Sequence, residues 1–294
     1  VDVTKANTNG YLTESESTVD WNVPIKTMQD MANNREDQLL TNVYSKEGYR
    51  FGGWSLTPNG PIKYDNGATV TNLTYDTDGV AQLFAVWVQN TYSLAFDKND
   101  EKATGTMASQ IFRVDEPQAI NSISYLKTGY HLDKWATNTD GTGNTYQDQQ
   151  VVTNLTTVNN KVIKLYAQWQ PNDYTVHYNN NWSKATGNMK DQRFTYDKAQ
   201  KLTANGFRRT GYWFAGWNRE EDLSGEQFDD KQEVINLTAE RDGIVNLYAD
   251  WKANNYTIKF DKNLTDDVPV DGVMEDLSCV YDQDYVLPTN TFKK

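Results

Sequence analysis

Two tryptophan-centred motifs return along this chain at an interval of about 82 residues, and that interval points to a tandem array. One motif is Gly48-Tyr49-x-Phe51-x-x-Trp54, repeated as Gly129-Tyr130-x-Leu132-x-x-Trp135 and Gly211-Tyr212-x-Phe214-x-x-Trp217. The other is Leu83-Phe84-Ala85-Val86-Trp87, repeated as Leu165-Tyr166-Ala167-Gln168-Trp169 and Leu247-Tyr248-Ala249-Asp250-Trp251. Units of this length can each hold a small core. Large aromatic rings bury much area per residue, and the chain has nine Trp and eighteen Tyr. The six repeated tryptophans are therefore expected in cores.

In register, each unit opens with an alternating segment: Tyr92-Ser-Leu94-Ala-Phe96, Tyr174-Thr-Val176-His-Tyr178 and Tyr256-Thr-Ile258-Lys-Phe260. A period of two predicts a half-buried strand. A polar loop leads to Met107, Met189 or Met274, then to a second strand around Phe112 or Phe194 that ends at Asp115 or Asp197. A connector, read as a possible short helix, precedes the Gly-Tyr strand. Paired aromatic and valine positions follow (Tyr64 and Val70, Tyr146 and Val152, Phe228 and Val234), then Asn-Leu-Thr at Asn72, Asn154 and Asn236. That tripeptide reads as a turn, its Asn side chain bonding nearby backbone and Leu73, Leu155 and Leu237 facing the core. The expected fold class is α+β, mainly β, with at most one short helix per module.

Residues 1–91 form an atypical first unit that would cap the array, with a candidate helix from Ile25 to Val43. Complete modules are expected at 92–173 and 174–255, and opening strands alone at 256–294. Connectors at 88–91, 170–173 and 252–255 are four residues long and contain no glycine, which predicts a semi-rigid array.

The motifs resemble the Listeria–Bacteroides repeat, also called the internalin B-repeat family. The resemblance rests on Tyr174 to Tyr178, Gly211 to Trp217 and Leu247 to Trp251; the second unit departs with Leu132 and Lys134. It implies β-grasp-like modules in tandem on a bacterial surface protein, in a stalk or adhesion region. It supplies no catalytic residues.

A net charge of −12 argues against nucleic acid and anionic membranes as partners. No apolar run reaches the ~18 residues that span a bilayer. No N-terminal export signal is present, so signal and anchor are expected outside this segment. Leu287-Pro288-Thr289-Asn290-Thr291 lacks the glycine and apolar tail of a wall-sorting motif and reads as a turn.

Cys279, His131 and His177 are too few and too scattered for a zinc cluster. Both histidines read as surface residues. Asp97-x-Asn99-x-Glu101 and Asp261-x-Asn263 begin like a calcium loop but lack its later glycine and glutamate, so they read as solvated turns beside the acidic Asp266, Asp267, Asp271 and Asp276. No nucleophile elbow or phosphate-binding glycine loop appears. The expectation is a non-enzymatic chain with no metal and no cofactor. Cys279 aligns with Phe112 and Phe194 and reads as a buried thiol.

Residues that differ between units are the better candidates for recognition. Trp182 follows Asn179-Asn180-Asn181 at a loop tip, and Trp213 points away from Tyr212 and Phe214, where its siblings are Arg50 and His131. Either could stack on a sugar or anchor a protein. Alternatively, each packs on its own or a neighbouring module. The leading expectation is a monomeric stalk and adhesion segment of an extracellular bacterial adhesin, meeting an unidentified host protein or glycan. The rival is a dedicated binding module for a host glycoprotein, glycan or immunoglobulin. A third possibility is an accessory carbohydrate domain beside an enzyme elsewhere in the parent chain.

Overall fold

In a computed structural model, residues 20–22, 37–74, 76, 79–263 and 269–293 are described. Every regular element among them is a strand. The third repeat shows the plan most completely. Its opening strand Asp173–Asn179 pairs antiparallel with the return strand Gln192–Thr195 and parallel with the closing strand Ile244–Ala253. The tryptophan strand Tyr212–Asn218 lies antiparallel on the other side of the closing strand, and the short Gln227–Phe228 edges the sheet. The second repeat has the same five-stranded order, with Thr91–Asp97 parallel to Lys161–Pro171.

The period-two pattern produces this sheet. Tyr174, Val176 and Tyr178 are buried while His177 faces out, and Tyr92, Leu94 and Phe96 repeat the arrangement. Leu and Ala of the closing motif are fully buried in each of the three repeats that have it. A central strand flanked on both sides has no solvent edge, so its small Ala lets Trp135 or Trp217 pack close. Both indoles are fully enclosed, and Trp54 nearly so. Trp217 packs on Tyr178, Phe207 and Phe214. The second set of tryptophans, Trp87, Trp169 and Trp251, is only half-buried; Trp87 and Trp251 pack against the margins of their cores. In the first and third repeats a bulge interrupts the tryptophan strand at Gly53 and Gly216. Their φ of 143° and 145° suits glycine, and a Cβ there would press on the carbonyl of Tyr64 or Phe228.

Several expectations change. The connector before each Gly-Tyr motif is not helical: it makes a two-residue antiparallel pairing, Gln118–Ala119 with Val151–Val152 and Gln200–Lys201 with Glu233–Val234. A β-grasp-like module would lay a helix across its sheet; the described residues contain none, so they bear out mainly β and do not support the α+β or β-grasp expectation. Of the candidate helix from Ile25 to Val43, residues 25–36 lie outside the described residues. The remainder is not helical: Asp37–Gln38 pairs with Thr69–Val70, Leu39 enters the first core, and Leu40 and Val43 are exposed. The first repeat is also atypical in its pairing, with Asp20–Asn22 antiparallel to Gln82–Gln89.

The four-residue connectors shrink to one residue each. Strands run up to Gln89, Pro171 and Ala253 and resume at Thr91, Asp173 and Asn255, leaving Asn90, Asn172 and Asn254 between them. The chain forms two compact units, Val1–Tyr125 with Leu132–Gln168, and Leu126–His131 with Trp169–Lys294.

Candidate functional sites: a repeated joint and a groove in the third repeat

Within these units the same joint recurs three times between consecutive repeats. Tyr49, Tyr130 and Tyr212 each close a turn by donating N–H to the carbonyl three residues earlier, on Lys46, Lys127 or Arg209. The glycine before each tyrosine has φ of 77°, 75° or 78°, as the third position of a type II turn requires. Any Cβ at these glycines would run into the following repeat: into Val114 at the first joint, and into the rings of Tyr196 and Tyr281 at the others.

The lone connector asparagine organises the contact. Asn90, Asn172 and Asn254 each donate backbone N–H to the glycine carbonyl, while their own carbonyls accept from Val114, Tyr196 and Tyr281. Asn90 and Asn172 also send their amide nitrogens to the carbonyls of Thr157 and Ala239. The tyrosine hydroxyls then donate to Asp115, Asp197 and Asp282, each at 2.9 Å. Those aspartates have φ of 65°, 59° and 61°, left-handed positions that Asp tolerates. Asn154 and Asn236 grip Asp115 and Asp197 reciprocally, accepting the backbone N–H and donating to the carboxylate. The Asn of the Asn-Leu-Thr tripeptide thus bonds backbone as expected, but 39 residues away rather than locally.

A cation covers each tyrosine: Lys46 and Lys127 ammonium groups lie 3.8 and 3.7 Å from the ring centres, and the Arg209 guanidinium 3.4 Å. Hydrogen bonds from Asn154 and Tyr49, with Lys46 nearby, hold the Asp115 carboxyl below its usual range. Burial and the bond to Asp115 raise the Tyr49 phenol, and the bond to Asp282 raises Tyr212. His131 belongs to the second joint. It is half-buried rather than a free surface residue, with Nδ1 2.7 Å from Asn172 Oδ1.

The two tryptophans singled out from the sequence part company. Trp182 is 42% exposed and Trp213 55% exposed. Arg209 stacks 3.6 Å from the Trp182 ring as well as on Tyr212, so Trp182, Arg209 and Tyr212 form one pile. Trp213, the next residue along the strand, points to the opposite face and sits across from Lys252. Trp182 borders a groove of about 590 Å³ whose other walls include Asn180, Asn188, Met189, Phe207 and Tyr248. Trp213 does not line it.

The remaining candidates have partners in the structure. Asp97 accepts the Asn99 backbone N–H at 2.9 Å and the Lys164 ammonium at 3.1 Å, and both contacts lower its pKa. Asp261 accepts the Asn263 N–H in the same kind of turn; Asp266 and Asp267 lie outside the described residues. His177 is exposed and contacts Asp191 at 2.6 Å. Cys279 is buried opposite Tyr256, as Phe112 and Phe194 are opposite Tyr92 and Tyr174. The joint itself escaped the sequence reading, although the 82-residue recurrence of Asn90, Asn172 and Asn254 was there to be found.

Strand order, repeated cores and repeated joints define a tandem β-repeat protein. The Listeria-Bacteroides repeat domain matches residues 18–78, 92–168 and 174–249, and the chain belongs to that family. Among its curated relatives are two proteins of Evansella cellulosilytica, named "Putative Gly-rich membrane protein" and "Putative membrane protein". Each is 27% identical, over 74% and 71% of this chain. The chain spans 24% and 29% of their lengths. No solved structure matches it.

Proposed function

We propose that the chain is a non-enzymatic repeat region of a bacterial surface protein, lying outside the cell as a stalk and adhesion segment. The joint is the observation that carries this reading. A spacer needs neighbouring modules that do not collapse or swing freely, and at the first and third joints, each between repeats of a single compact unit, one connector residue, two backbone bonds, a Tyr–Asp bond and a stacked cation limit both. The membrane-protein names of the relatives support a surface setting. The acidic surface keeps such chains apart by like charge. Small-angle scattering tests the proposal: a radius of gyration near the ~19 Å of a single globule of this length would sink it.

A second reading, a dedicated segment that grips a host glycoprotein, glycan or immunoglobulin, is favoured by one feature. Trp182 is exposed over a groove, and the aligned residue of the second repeat is Asp100. Under this reading, a Trp182→Ala variant loses its partner while staying folded; unchanged affinity removes that residue from consideration.

A further inference from the structure

At the groove of the third repeat, neutral groups stand where the sibling repeats carry charges. In the second repeat, Lys98 reaches across the loop after the opening strand, and its ammonium meets the carbonyls of Glu101 and Ala103 at 3.4 and 2.6 Å. In the fourth repeat Lys262 occupies the aligned position and donates to the Val270 carbonyl at 3.0 Å. The third repeat has Asn180 there, too short to cross the loop. One strand over, the Asp97–Lys164 ion pair of the second repeat is replaced by Asn179 and Asn246, whose amides are 3.5 Å apart. Asp100 and Glu101 become Trp182 and Ser183. Where the siblings hold charged side chains bonded across this loop, the third repeat has an amide-lined groove with an indole on its rim.

We propose that this groove binds a neutral saccharide. The inference rests on the binding reading above and narrows it to one site and one chemical class. Amide side chains both donate and accept, matching hydroxyl groups that do the same. The exposed indole offers an apolar face to the C–H face of a pyranose ring. Arg209 stacks on Trp182 and fixes its orientation, so little side-chain freedom is lost when a ligand settles on it. Asn180 is held as well: its carbonyl accepts the Trp251 indole N–H at 2.8 Å and its side chain accepts the Trp182 backbone N–H at 3.1 Å. The volume of about 590 Å³ lies within the range of small-molecule sites. Glu221 on the wall, within a chain of net charge −12, disfavours acidic sugars.

The test is titration of the full chain with cellotetraose, mannotetraose and chitotetraose, and with tetragalacturonate as the acidic comparator, followed by calorimetry and saturation-transfer NMR. Three variants accompany it. Trp182→Ala removes the platform. Asn180→Lys restores the lysine that two other repeats already carry in the same fold, and so closes the groove without threatening folding. Trp213→Ala alters an exposed indole on the opposite face. The expected result is binding of at least one neutral tetrasaccharide, weakened about tenfold or more by each of the first two variants and unchanged by the third. Failure of all three neutral sugars, affinity that survives Asn180→Lys, or equal affinity for tetragalacturonate overturns the inference. Trp182-dependent capture of an unglycosylated protein, with no sugar bound, also overturns it while leaving the broader binding reading in place.

Discussion

The second, third and fourth repeats begin with nearly the same strand, and its burial differs sharply. Tyr92 and Tyr174 are each 1% exposed, whereas Tyr256 is 46% exposed. Sequence pattern does not explain the difference, because all three tyrosines face the return strand in one register, opposite Phe112, Phe194 and Cys279. The complete repeats add a parallel closing strand and a tryptophan strand, and the described residues of the fourth repeat have neither. An alternating strand is thus a request for burial that only the closing Leu-x-Ala and its tryptophan satisfy. A two-stranded ribbon by itself is marginal in water.

The strongest way to break this comparison is to remove the core from a complete repeat. Trp217→Ala should cost about 3–5 kcal/mol, whereas Ile258→Ala in the hairpin should cost under about 1 kcal/mol, both read from urea unfolding. Comparable losses would show that the hairpin is as tightly packed as the full sheet. Next in size is Gly129→Ala, which forces a side chain into the Tyr196 ring at a positive φ. A cost of about 1–3 kcal/mol is expected, appearing as a lower melting midpoint.

Tyr212→Phe sharpens the contrast from the hairpin side. It deletes the solvent-exposed bond to Asp282 and leaves the ring in place, so the loss is smaller than that from Gly129→Ala. Limited proteolysis should then cut faster within 255–281 while the third repeat stays protected; uniform protection would mean that the joint does not steady the hairpin. The smallest effect is a pH dependence at the first joint. Asp115 has a lowered folded pKa, so its contribution is full above the unfolded carboxylate value and fades as acid passes through the lowered one. Melting midpoints of the native chain and Asp115→Asn should therefore differ at neutral pH and converge in strong acid. A gap that widens on acidification contradicts the assignment.

The sequence revealed those parts of the fold that rest on local periodicity. Alternation marked Tyr174 to Tyr178 as a strand, and recurrence marked Trp135 and Trp217 as core. The connectors misled because Gln118–Ala119 and Gln200–Lys201 are held by partners more than 30 residues away, and a two-residue pairing has no period to detect. The joint was hidden for a similar reason: Asn90 and Asp115 look like ordinary turn residues until Gly48 and Asn154 are placed beside them. Trp182 drew notice because it breaks the repeat, but the groove it borders brings together Asn180, Asn188, Met189, Phe207 and Tyr248, residues that are scattered along the sequence. Trp213 looked equally promising and was legible as exposed, but that Trp182 stacks with Tyr212 on the other face depends on Arg209 bridging the two, which no local pattern shows.

The joint takes its glycine and tyrosine from the middle of one repeat and its aspartate from the start of the next, with the asparagine between them. Any stretch of about 82 residues cut from the array, wherever the cut begins, therefore carries one full set of these parts. Duplicating or deleting such a stretch recreates the old interface at the new boundary. Recombination between misaligned copies of the gene can lengthen or shorten the protein in whole steps, each product inheriting working contacts without a period of repair.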